Sequence, residues 1–350
     1  MRASIAIGAL LTMLLAACGS VAAPAASSLA PSAPAASAAA SAAPSAAPTT
    51  KLSVVYSALS PSYLALWAAQ DAGYFQKNGL AMDVQLTNGG SPAMAVLLSG
   101  QAQIFQAAGS DILSAVAGGT DLLVTATTSP VYPFKVEVTP DIKAPADLKG
   151  KKVAITSLGD TSDMALRLSL QKLGLDPEHD VTAVTVGSSQ NGVAALLGGA
   201  VDAALLSPPQ NLTVEAKGFH ALFDVPSVKL AVANQEIAGQ RSWITGHRDL
   251  MQKYVDAIVE ATARVKQDKP FSIGLMKKYL KSDDEQALSA SYDFSAQLVL
   301  QPLPFPTAEQ FNNTLSILSQ RNDKLRGLDV SKLLDPSFVQ SAADRHLDRV

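Results

Sequence analysis

One kind of joint occurs twice in this chain, as LLSGQAQI at residues 97–104 and as LLGGAVDA at residues 196–203. Each joint consists of an apolar helix end, a glycine that stops the helix, and the start of a predicted strand. Two joints of the same construction in separate parts of the chain predict two lobes that are built alike. Helix-to-strand joints also resemble one another in general, so the sequence leaves a chance similarity open.

Strand and helix alternate on both sides of each joint. Around the first joint the predicted elements are strand Lys51–Ser57, a helix between Pro61 and Gly73, strand Met82–Leu86, a helix capped by Ser91 with Pro92 at its first position, strand Ile104–Ala107, helix Asp111–Ala117 and strand Leu122–Thr127. Around the second joint they are strand Lys152–Ile155, helix Ser162–Leu173, strand Val181–Val186 and helix Gln190–Leu197. This order predicts α/β lobes with largely parallel sheets. Beyond Arg248 the pattern is helical, which suits a tail that crosses back to support the first lobe.

The size and charge of the folded part favour two units and a small ligand. Residues 51–350 amount to about 300 residues, a length at which single cores stop growing and chains divide. The chain carries 27 Lys and Arg against 30 Asp and Glu, and the basic residues form no stripe. This balance argues against nucleic acid as a partner.

The N-terminus has the pattern of an export signal. Arg2 precedes an apolar run over residues 5–15 and two alanines, so residues 1–17 are predicted to be a signal peptide. The run is shorter than the roughly 20 apolar residues that span a bilayer. Residues 18–50 consist almost wholly of Ala, Ser, Pro and Thr, which predicts a disordered tether.

Cys18 is the only cysteine of the chain and directly follows Leu15-Ala16-Ala17. This stretch resembles the processing box of bacterial lipoproteins, in which the cysteine is acylated and becomes the new N-terminus. The resemblance implies a protein held outside the cytoplasm by a lipid anchor, in the periplasm or at the cell surface. A thiol nucleophile, a disulfide and a Cys-based metal site are then excluded from the folded part.

Several blocks of the folded part resemble the type II solute-binding proteins of nitrate, taurine and alkanesulfonate ABC importers, together with the related binders of thiamine precursors. The blocks are YLALWAAQDAGYF at residues 63–75 with NGL at 78–80, LSG at 98–100, ADLKGKKVA at 146–154 and LGGAVDA at 197–203. In this order and spacing they cover nearly the whole folded part.

The resemblance implies two α/β lobes joined by two crossing segments, with the solute in the cleft between them. Lobe I would comprise residues 51–137 and 241–350, and lobe II residues 138–240. The crossings would lie near residues 136–138 and 238–243. Closure of the lobes around the solute is a hinge motion, and an ABC permease with its ATPase is expected to recognise the closed form. We expect a monomer.

The ligand is expected at the carboxyl ends of the strands, where loops lead into helices. The candidate binding residues are all hydroxyls, glycines or a carboxylate in such loops, namely Ser57, Ser60, Tyr63, Gly90, Ser91, Gly109, Ser110, Ser157, Gly159, Asp160, Thr161, Ser188 and Ser207. Backbone N–H groups at helix starts suit a sulfonate, nitrate or carboxylate without a formal positive charge. The same residue types also serve as ordinary helix caps.

Other residues leave the chemistry of the solute open. Asp111 and Asp160 at helix starts would repel an anion or bond an amine, and Arg241 near the second crossing would either counter an anion or remain a surface residue. Tyr132 and Phe134 would favour a pyrimidine or another aromatic solute by stacking. Trp67 is either a wall of the cleft or part of the core, and Tyr63, four residues earlier on the same helix face, has the same two interpretations.

An enzyme on the same fold is the main rival, because relatives in pyrimidine and menaquinone synthesis share the architecture. Its requirements are poorly met, since the chain has neither a Gly-x-Ser-x-Gly elbow nor a phosphate-binding loop. The four histidines lack the short spacing of metal ligands, and no cofactor or metal is expected. A sensor that reports the solute to a membrane receptor is a third possibility, which the sequence does not separate from transport.

Overall fold

The computed structural model of the protein describes residues 49–349. The predicted signal peptide, the lipidation site Cys18 and nearly all of the predicted tether lie outside the described residues. Within residues 49–349, no helix combines the length and the apolar character that crossing a membrane requires.

The described residues form an alternating series of strands and helices. The strands are β1 Thr50–Tyr56, β2 Leu80–Leu86, β3 Ile104–Ala107, β4 Leu122–Ser129, β5 Lys135–Val138, β6 Lys151–Ile155, β7 Val181–Thr185, β8 Ala203–Leu206, β9 His220–Asp224 and β10 Gln235–Gln240. The helices are α1 Leu64–Asp71, α2 Tyr74–Lys77, α3 Gly90–Leu98, α4 Gly109–Ala117, α5 Thr161–Lys172, α6 Ser189–Leu197, α7 Gln210–Glu215, α8 Arg241–Gly246, α9 Arg248–Gln267, α10 Lys269–Leu280, α11 Glu285–Phe294, α12 Ala308–Leu318 and α13 Ser337–Asp344. Most elements predicted from the sequence are confirmed to within a few residues, whereas the strands β5, β9 and β10 have no predicted counterpart.

The strands build two five-stranded sheets with the same plan. Their spatial orders are β2-β1-β3-β10-β4 and β7-β6-β8-β5-β9. In each sheet the first three strands are parallel, while the fourth is antiparallel to both of its neighbours. The predicted likeness of the lobes is therefore confirmed. The sheets are mixed rather than purely parallel, because each receives one strand that arrives from the other sheet.

The two joints in the sequence occupy equivalent places in the two sheets. The first leads from α3 into β3 and the second from α6 into β8, each the third strand of its sheet. Gly100 and Gly199 have φ angles of +77° and +71°, a left-handed conformation that glycine adopts without a steric penalty. Their positions just past the helix ends agree with the sequence prediction.

The chain changes sheets earlier than the sequence suggested. Residues 136–138, expected to be the first crossing, lie inside β5 of the second sheet, and most of the expected second crossing lies in β10 and α8. The connections between the sheets are residues 130–134 and 225–234. The short strands β5 and β10 follow the two connections directly, and the turn-prone residues beside these strands carry the same sequence signal as a crossing. We therefore propose that lobe II comprises residues 130–234.

The helical tail packs on the first sheet, as predicted. Tyr254, Val255, Ile258 and Val259, which the sequence places on one face of α9, are all fully buried in the core that also contains α1. Because residues three and four apart share a helix face, this apolar stripe buries against the first lobe as a unit. The second lobe has its own core around Val153 and neighbouring apolar residues.

Two helices begin earlier than predicted. Helix α3 begins at Gly90, with Gly89 at the capping position, so Ser91 is not the cap and Pro92 is the third helical residue. A Cβ atom on Gly90 would lie 1.8 Å from a carboxylate oxygen of Asp111, so the turn that starts α3 fills the space beside that carboxyl group. Helix α4 likewise begins at Gly109 rather than at Asp111.

Candidate functional site

A cavity of about 320 Å³ lies between the two sheets, within the size range of small-molecule sites. Four of its lining residues directly follow a strand: Ser57 after β1, Ala108 after β3, Thr156 after β6 and Ser207 after β8. The cavity therefore lies at the carboxyl ends of strands from both sheets, as α/β sheets place their ligands. The remaining lining residues are Ala58, Leu59, Ser60, Pro61, Ser62, Tyr63, Pro133, Phe134, Thr161, Ser189, Gln190, Pro208, Pro209, Gln210, Asn234, Gln235 and Leu280.

The first-lobe wall is organised around the hydroxyl group of Tyr63. This hydroxyl donates to the backbone carbonyl of Gln106 at 3.2 Å and lies 2.7 Å from Oγ of Ser57, which is then its donor. Burial raises the pKa of the Tyr63 phenol well above its usual value. Tyr63 is therefore a neutral, fixed hydrogen-bonding group, while the neighbouring Ser57 and Ser60 are only partly buried.

The second-lobe wall is formed by the starts of three helices. Thr161 begins α5, Ser189 begins α6, and Gln210 begins α7 directly after Pro208 and Pro209. The two prolines have no N–H to donate, so they present ring surfaces to the cavity. The hydroxyl and amide groups of this wall are placed to donate and accept hydrogen bonds from one side of a solute.

The hinge side of the cavity comes from the connections between the sheets. Pro133 and Phe134 belong to the first connection, and Asn234 ends the second one, immediately before Gln235. The Nδ2 atom of Asn234 donates to Oγ of Ser129 at 2.8 Å, which fixes the amide. A solute in the cavity would thus contact both lobes and both connections.

Five of the thirteen predicted site residues line this cavity: Ser57, Ser60, Tyr63, Thr161 and Ser207. The other eight are not among its lining residues: Gly109, Ser110, Ser157, Gly159, Asp160 and Ser188 belong to loops that reach the cavity, whereas Gly90 and Ser91 follow β2, whose loop contributes no lining residue. Ser188 caps α6 by accepting from the N–H of Asn191, and the next residue, Ser189, faces the cavity instead.

Asp160 serves as a helix cap. Its Oδ1 accepts from the backbone N–H groups of Ser162 and Asp163 at 2.9 and 3.1 Å and from the hydroxyl of Ser162 at 2.7 Å, and its Oδ2 accepts from Thr156. These bonds occupy two of the free N–H donors of the first turn of α5, those of Ser162 and Asp163. The carboxylate of Asp160 is thereby committed to the protein itself.

The roles of Gly109 and Gly159 differ from those expected. The N–H of Gly109 donates to the carbonyl of Ala233 at 3.0 Å, and a Cβ atom there would lie 2.3 Å from that of Ala233. Gly109 is thus a close contact between α4 and the second connection. At Gly159 a Cβ atom would meet nothing within 4 Å, so only its φ of +82° restricts substitution.

Of the further candidates Trp67, Tyr132, Phe134 and Arg241, only Phe134 lines the cavity. Trp67 is fully buried and stacks on Tyr279 with 4.6 Å between ring centroids, so it belongs to the core. Tyr132 is buried in the core of the second lobe, whereas Phe134 lines the cavity. Arg241 lies outside the cavity lining, with its Nε 2.7 Å from the carboxylate of Asp121.

Sequence reasoning missed several polar residues of the cavity, namely Thr156, Gln190, Gln210, Asn234 and Gln235. Thr156 directly precedes the predicted site residue Ser157, and Gln190 follows Ser188 by two positions. Asn234 and Gln235 were not predicted, because the sequence places the second crossing further along the chain, near residues 238–243.

The lining of the cavity carries no charged side chain. The carboxyl group of Asp111 lies close enough to Tyr63 to raise the pKa of its phenol. The pKa of Asp111 itself is raised to about 6, mainly by burial and to a smaller extent by the charge of Asp160. No group of three or more potential metal ligands occurs among residues 49–349. The wall of the cavity is suited to hydrogen bonding and apolar contact.

The sequence profile described as NMT1/THI5 like matches residues 60–269, which is more than half of the chain. The chain belongs to the NMT1/THI5-like family. A Bacillus subtilis (strain 168) protein, YtlA, described as a candidate binding protein, is 24% identical over 307 residues, which cover 83% of this chain and 89% of that protein. This is a family of solute-binding proteins, and the resemblance found in the sequence is confirmed.

Solved structures confirm the two-lobe fold of periplasmic binding proteins for this family member. The aliphatic sulphonate binding protein SsuA of Escherichia coli superposes with a TM-score of 0.69 at 19% identity, covering 83% of this chain and 99% of that one. The desulfurization enzyme DSZB superposes with a TM-score of 0.60 at 18% identity, covering 84% and 99%. The same fold therefore supports both binding and catalysis, so the two functions have to be distinguished by the residues of the site.

Proposed function

We propose that this protein is the extracytoplasmic solute-binding component of an ABC importer, which captures a small polar solute in the cavity between its lobes and delivers it to a membrane permease. The observation that carries the proposal is the cavity at the carboxyl ends of both sheets, lined by hydroxyl and amide groups from both lobes and both connections. A solute that bridges the lobes there stabilises the closed arrangement. Family membership supports the same role, and a relative from Brachyspira hyodysenteriae (strain ATCC 49526 / WA1) is described as a candidate ABC transporter periplasmic binding protein.

Binding without catalysis is the function that the wall of this cavity supports. Its lining consists of neutral hydroxyl, amide and apolar side chains, without a carboxylate, histidine, lysine or cysteine. General acid–base and nucleophilic catalysis depend on a titratable or activated group within hydrogen-bonding reach of the substrate. The hydroxyl of Tyr63 is held in hydrogen bonds to the protein, and the carboxylate of Asp160 is a helix cap.

For the solute we propose a small anion of the sulfonate, taurine or nitrate type, bound at the start of α6. This helix has nine residues, and Ser189 and Gln190 of its first turn line the cavity. Ser188 caps only the N–H of Asn191, so the first two N–H groups of α6 remain available to an anion. The start of α5 is less suitable, because Asp160 already accepts from its N–H groups.

A second class of solute is favoured by one observation. Phe134 lines the cavity on the hinge side, where its ring is placed to stack on a flat molecule. A thiamine-precursor-like pyrimidine or an aromatic carboxylate would use this surface together with the amides of Asn234 and Gln210. Binding of an aromatic solute should depend on Phe134, whereas binding of a small anion should not.

The decisive experiment is a thermal-shift and calorimetric screen of residues 49–350 against taurine, alkanesulfonates, nitrate, aromatic carboxylates and aminopyrimidines. A ligand at a hundredfold over its dissociation constant adds roughly 2.7 kcal/mol to the stability of the native state. Ser189→Pro, which removes the first free N–H group of α6 at a helical position that favours proline, should weaken an anionic solute, and Phe134→Ala an aromatic one, each by at least about tenfold. Ser157→Ala is the matched control, since Ser157 lies in the loop between β6 and α5 but outside the cavity lining, and its replacement should leave affinity unchanged.

Two results would contradict the proposal. One is turnover of a bound solute by the purified protein, which would indicate an enzyme. The other is unchanged uptake of the identified solute after deletion of the protein, which would favour a sensor. We further propose that the mature protein is a monomer anchored through lipid on Cys18, so that Cys18→Ser should release it into the soluble fraction.

A further inference from the structure

A second cavity continues the cleft beyond the first one. It has a volume of about 610 Å³ and lies between α7 of the second lobe and the turn between α10 and α11 of the first lobe. The residues that line it are Pro209, Gln210, Leu212, Thr213, Glu215, Ala216, Ser282, Asp284, Gln286 and Ala287. Like the first cavity, it is formed by both lobes.

The two cavities are neighbours along the same helix start. Pro209 and Gln210 line both, and Leu280 of the first cavity precedes Ser282 of the second by two positions. An elongated solute with one end in the first cavity would therefore direct its other end towards the second.

The walls of the cavities differ in charge. The first is lined without a charged residue, whereas the second is lined by two carboxylates, Glu215 on α7 and Asp284 before α11, and by no lysine, arginine or histidine. One carboxylate comes from each lobe. A positive group between them would be attracted to both lobes.

Glu215 belongs to a cluster with more negative than positive charge. Its Oε1 accepts from Nδ2 of Asn211 at 2.8 Å, and Lys135 lies 3.6 Å from both Glu215 and Asp224. Behind it lies Glu137, which is fully buried and whose pKa is raised to about 8 by burial and by the charge of Glu215. Because Glu137 keeps its proton at neutral pH, one lysine faces two carboxylates, Glu215 and Asp224, and a further cation would complete the charge balance.

We propose that the second cavity is a subsite for a positively charged group, an alkylammonium or guanidinium, at the far end of the transported solute. This inference rests on the proposed function, because it assigns the solute a hydrogen-bonding end in the first cavity and a cationic end in the second. Glu215 and Asp284 bind the cationic end from opposite lobes. Among the anions proposed above, the subsite favours elongated solutes that also carry such a cationic end over nitrate and simple alkanesulfonates.

The test follows backbone amide signals by NMR during titration with 1,4-diaminobutane and, in parallel, with 1,4-butanediol, a neutral molecule with the same number of carbon atoms. At 0.15 M salt, which weakens diffuse attraction to acidic surfaces, the diamine should shift residues 209–216 and 282–287, and the diol should not. Glu215→Gln and Asp284→Asn should each weaken the diamine at least about fivefold. Asn remains a good helix cap, so the second variant keeps the start of α11. Glu309→Gln, on the exposed start of α12, is the control and should change nothing.

The outcomes separate this inference from the proposed function. Absent shifts in the second cavity, equal shifts with the diol, or equal losses in Glu309→Gln would overturn the subsite. The importer function is measured independently, by solute-induced stabilisation and its dependence on Ser189 or Phe134. A solute that still stabilises the protein while the diamine shifts nothing leaves the proposed function intact and refutes the subsite.

Discussion

Arg321, just beyond the end of α12, places its Nη1 3.5 Å from Oδ2 of Asp163, a fully buried carboxylate in the first turn of α5. The other oxygen of Asp163 accepts from Nε of Arg167 at 2.6 Å, and Nη2 of Arg321 lies 3.2 Å from Glu178. The C-terminal part of the chain thus contacts the second lobe as well as the first. Besides the two connections, this ion-pair network is a further link between the lobes.

Replacement of Arg321 by alanine should lower the free energy of unfolding by about 1–2 kcal/mol, because it leaves a buried carboxylate with one cationic partner instead of two. Arg326→Ala is the control, since Arg326 pairs with Asp323 at an exposed site, where such pairs contribute at most about 1 kcal/mol. Urea denaturation measures both. Equal effects of the two variants would show that the contact with Asp163 contributes no more to the free energy of unfolding than an exposed ion pair.

Gly109→Ala should destabilise the protein by about 2–3 kcal/mol, because the new Cβ atom would lie 2.3 Å from Cβ and 2.9 Å from the carbonyl oxygen of Ala233. Gly274→Ala, in the interior of α10 with nothing within 4 Å of the new atom, should instead stabilise by about 0.5–1 kcal/mol. Opposite signs in thermal denaturation are the expected result. A destabilisation of the same size at both sites would point to a general effect of substitution.

Glu137→Gln should make stability less dependent on pH. The pKa of Glu137 is raised from 4.5 to about 8, so the native state holds a proton that the unfolded chain releases, and stability falls as pH rises between these values. The charged groups around it are Glu215 on α7, Lys135 on β5 and Asp224 on β9. Between pH 6 and 8.5 the wild type should lose at least about 1 kcal/mol more than the variant. Parallel losses would place the titration elsewhere.

Asp111→Asn should stabilise the protein at pH 7.5 but not at pH 4. Burial raises the pKa of Asp111 from 3.8 to about 6, so its ionisation costs stability as pH rises through this window. The expected gain at pH 7.5 is roughly 1–2 kcal/mol, after allowance for partial solvent screening. Denaturation curves at the two pH values decide the matter, and a gain of equal size at both would indicate a packing effect.

The fold was largely predictable because its signals are local. Glycine stops at positions 100 and 199, apolar stripes such as that of α9, and alternation of strand and helix are properties of short segments. The residues at which the chain passes from one sheet to the other were harder to predict. They depend on which strands β5 and β10 pair with, and pairing between distant segments leaves little trace in a single sequence.

The site was predictable at the level of loops rather than of side chains. The rule that ligands bind at the carboxyl ends of strands selected the loops in which Ser57, Ser60, Tyr63, Thr161 and Ser207 line the cavity. It does not distinguish a cap from a cavity residue, since both are polar and lie within one or two positions of each other, as Ser188 and Ser189 do. The orientation of each side chain is decided by the helix that follows it.

The position of β10 between β3 and β4 constrains the order in which the chain is able to fold. More than a hundred residues separate β4 from its partner β10 along the sequence. Until β10 is in place, only β1, β2 and β3 of the first sheet are able to pair. The second sheet, by contrast, is assembled entirely from residues 135–224. Because contacts between distant residues form slowly, the inserted lobe is expected to acquire its structure first and to bring the two halves of the other lobe together.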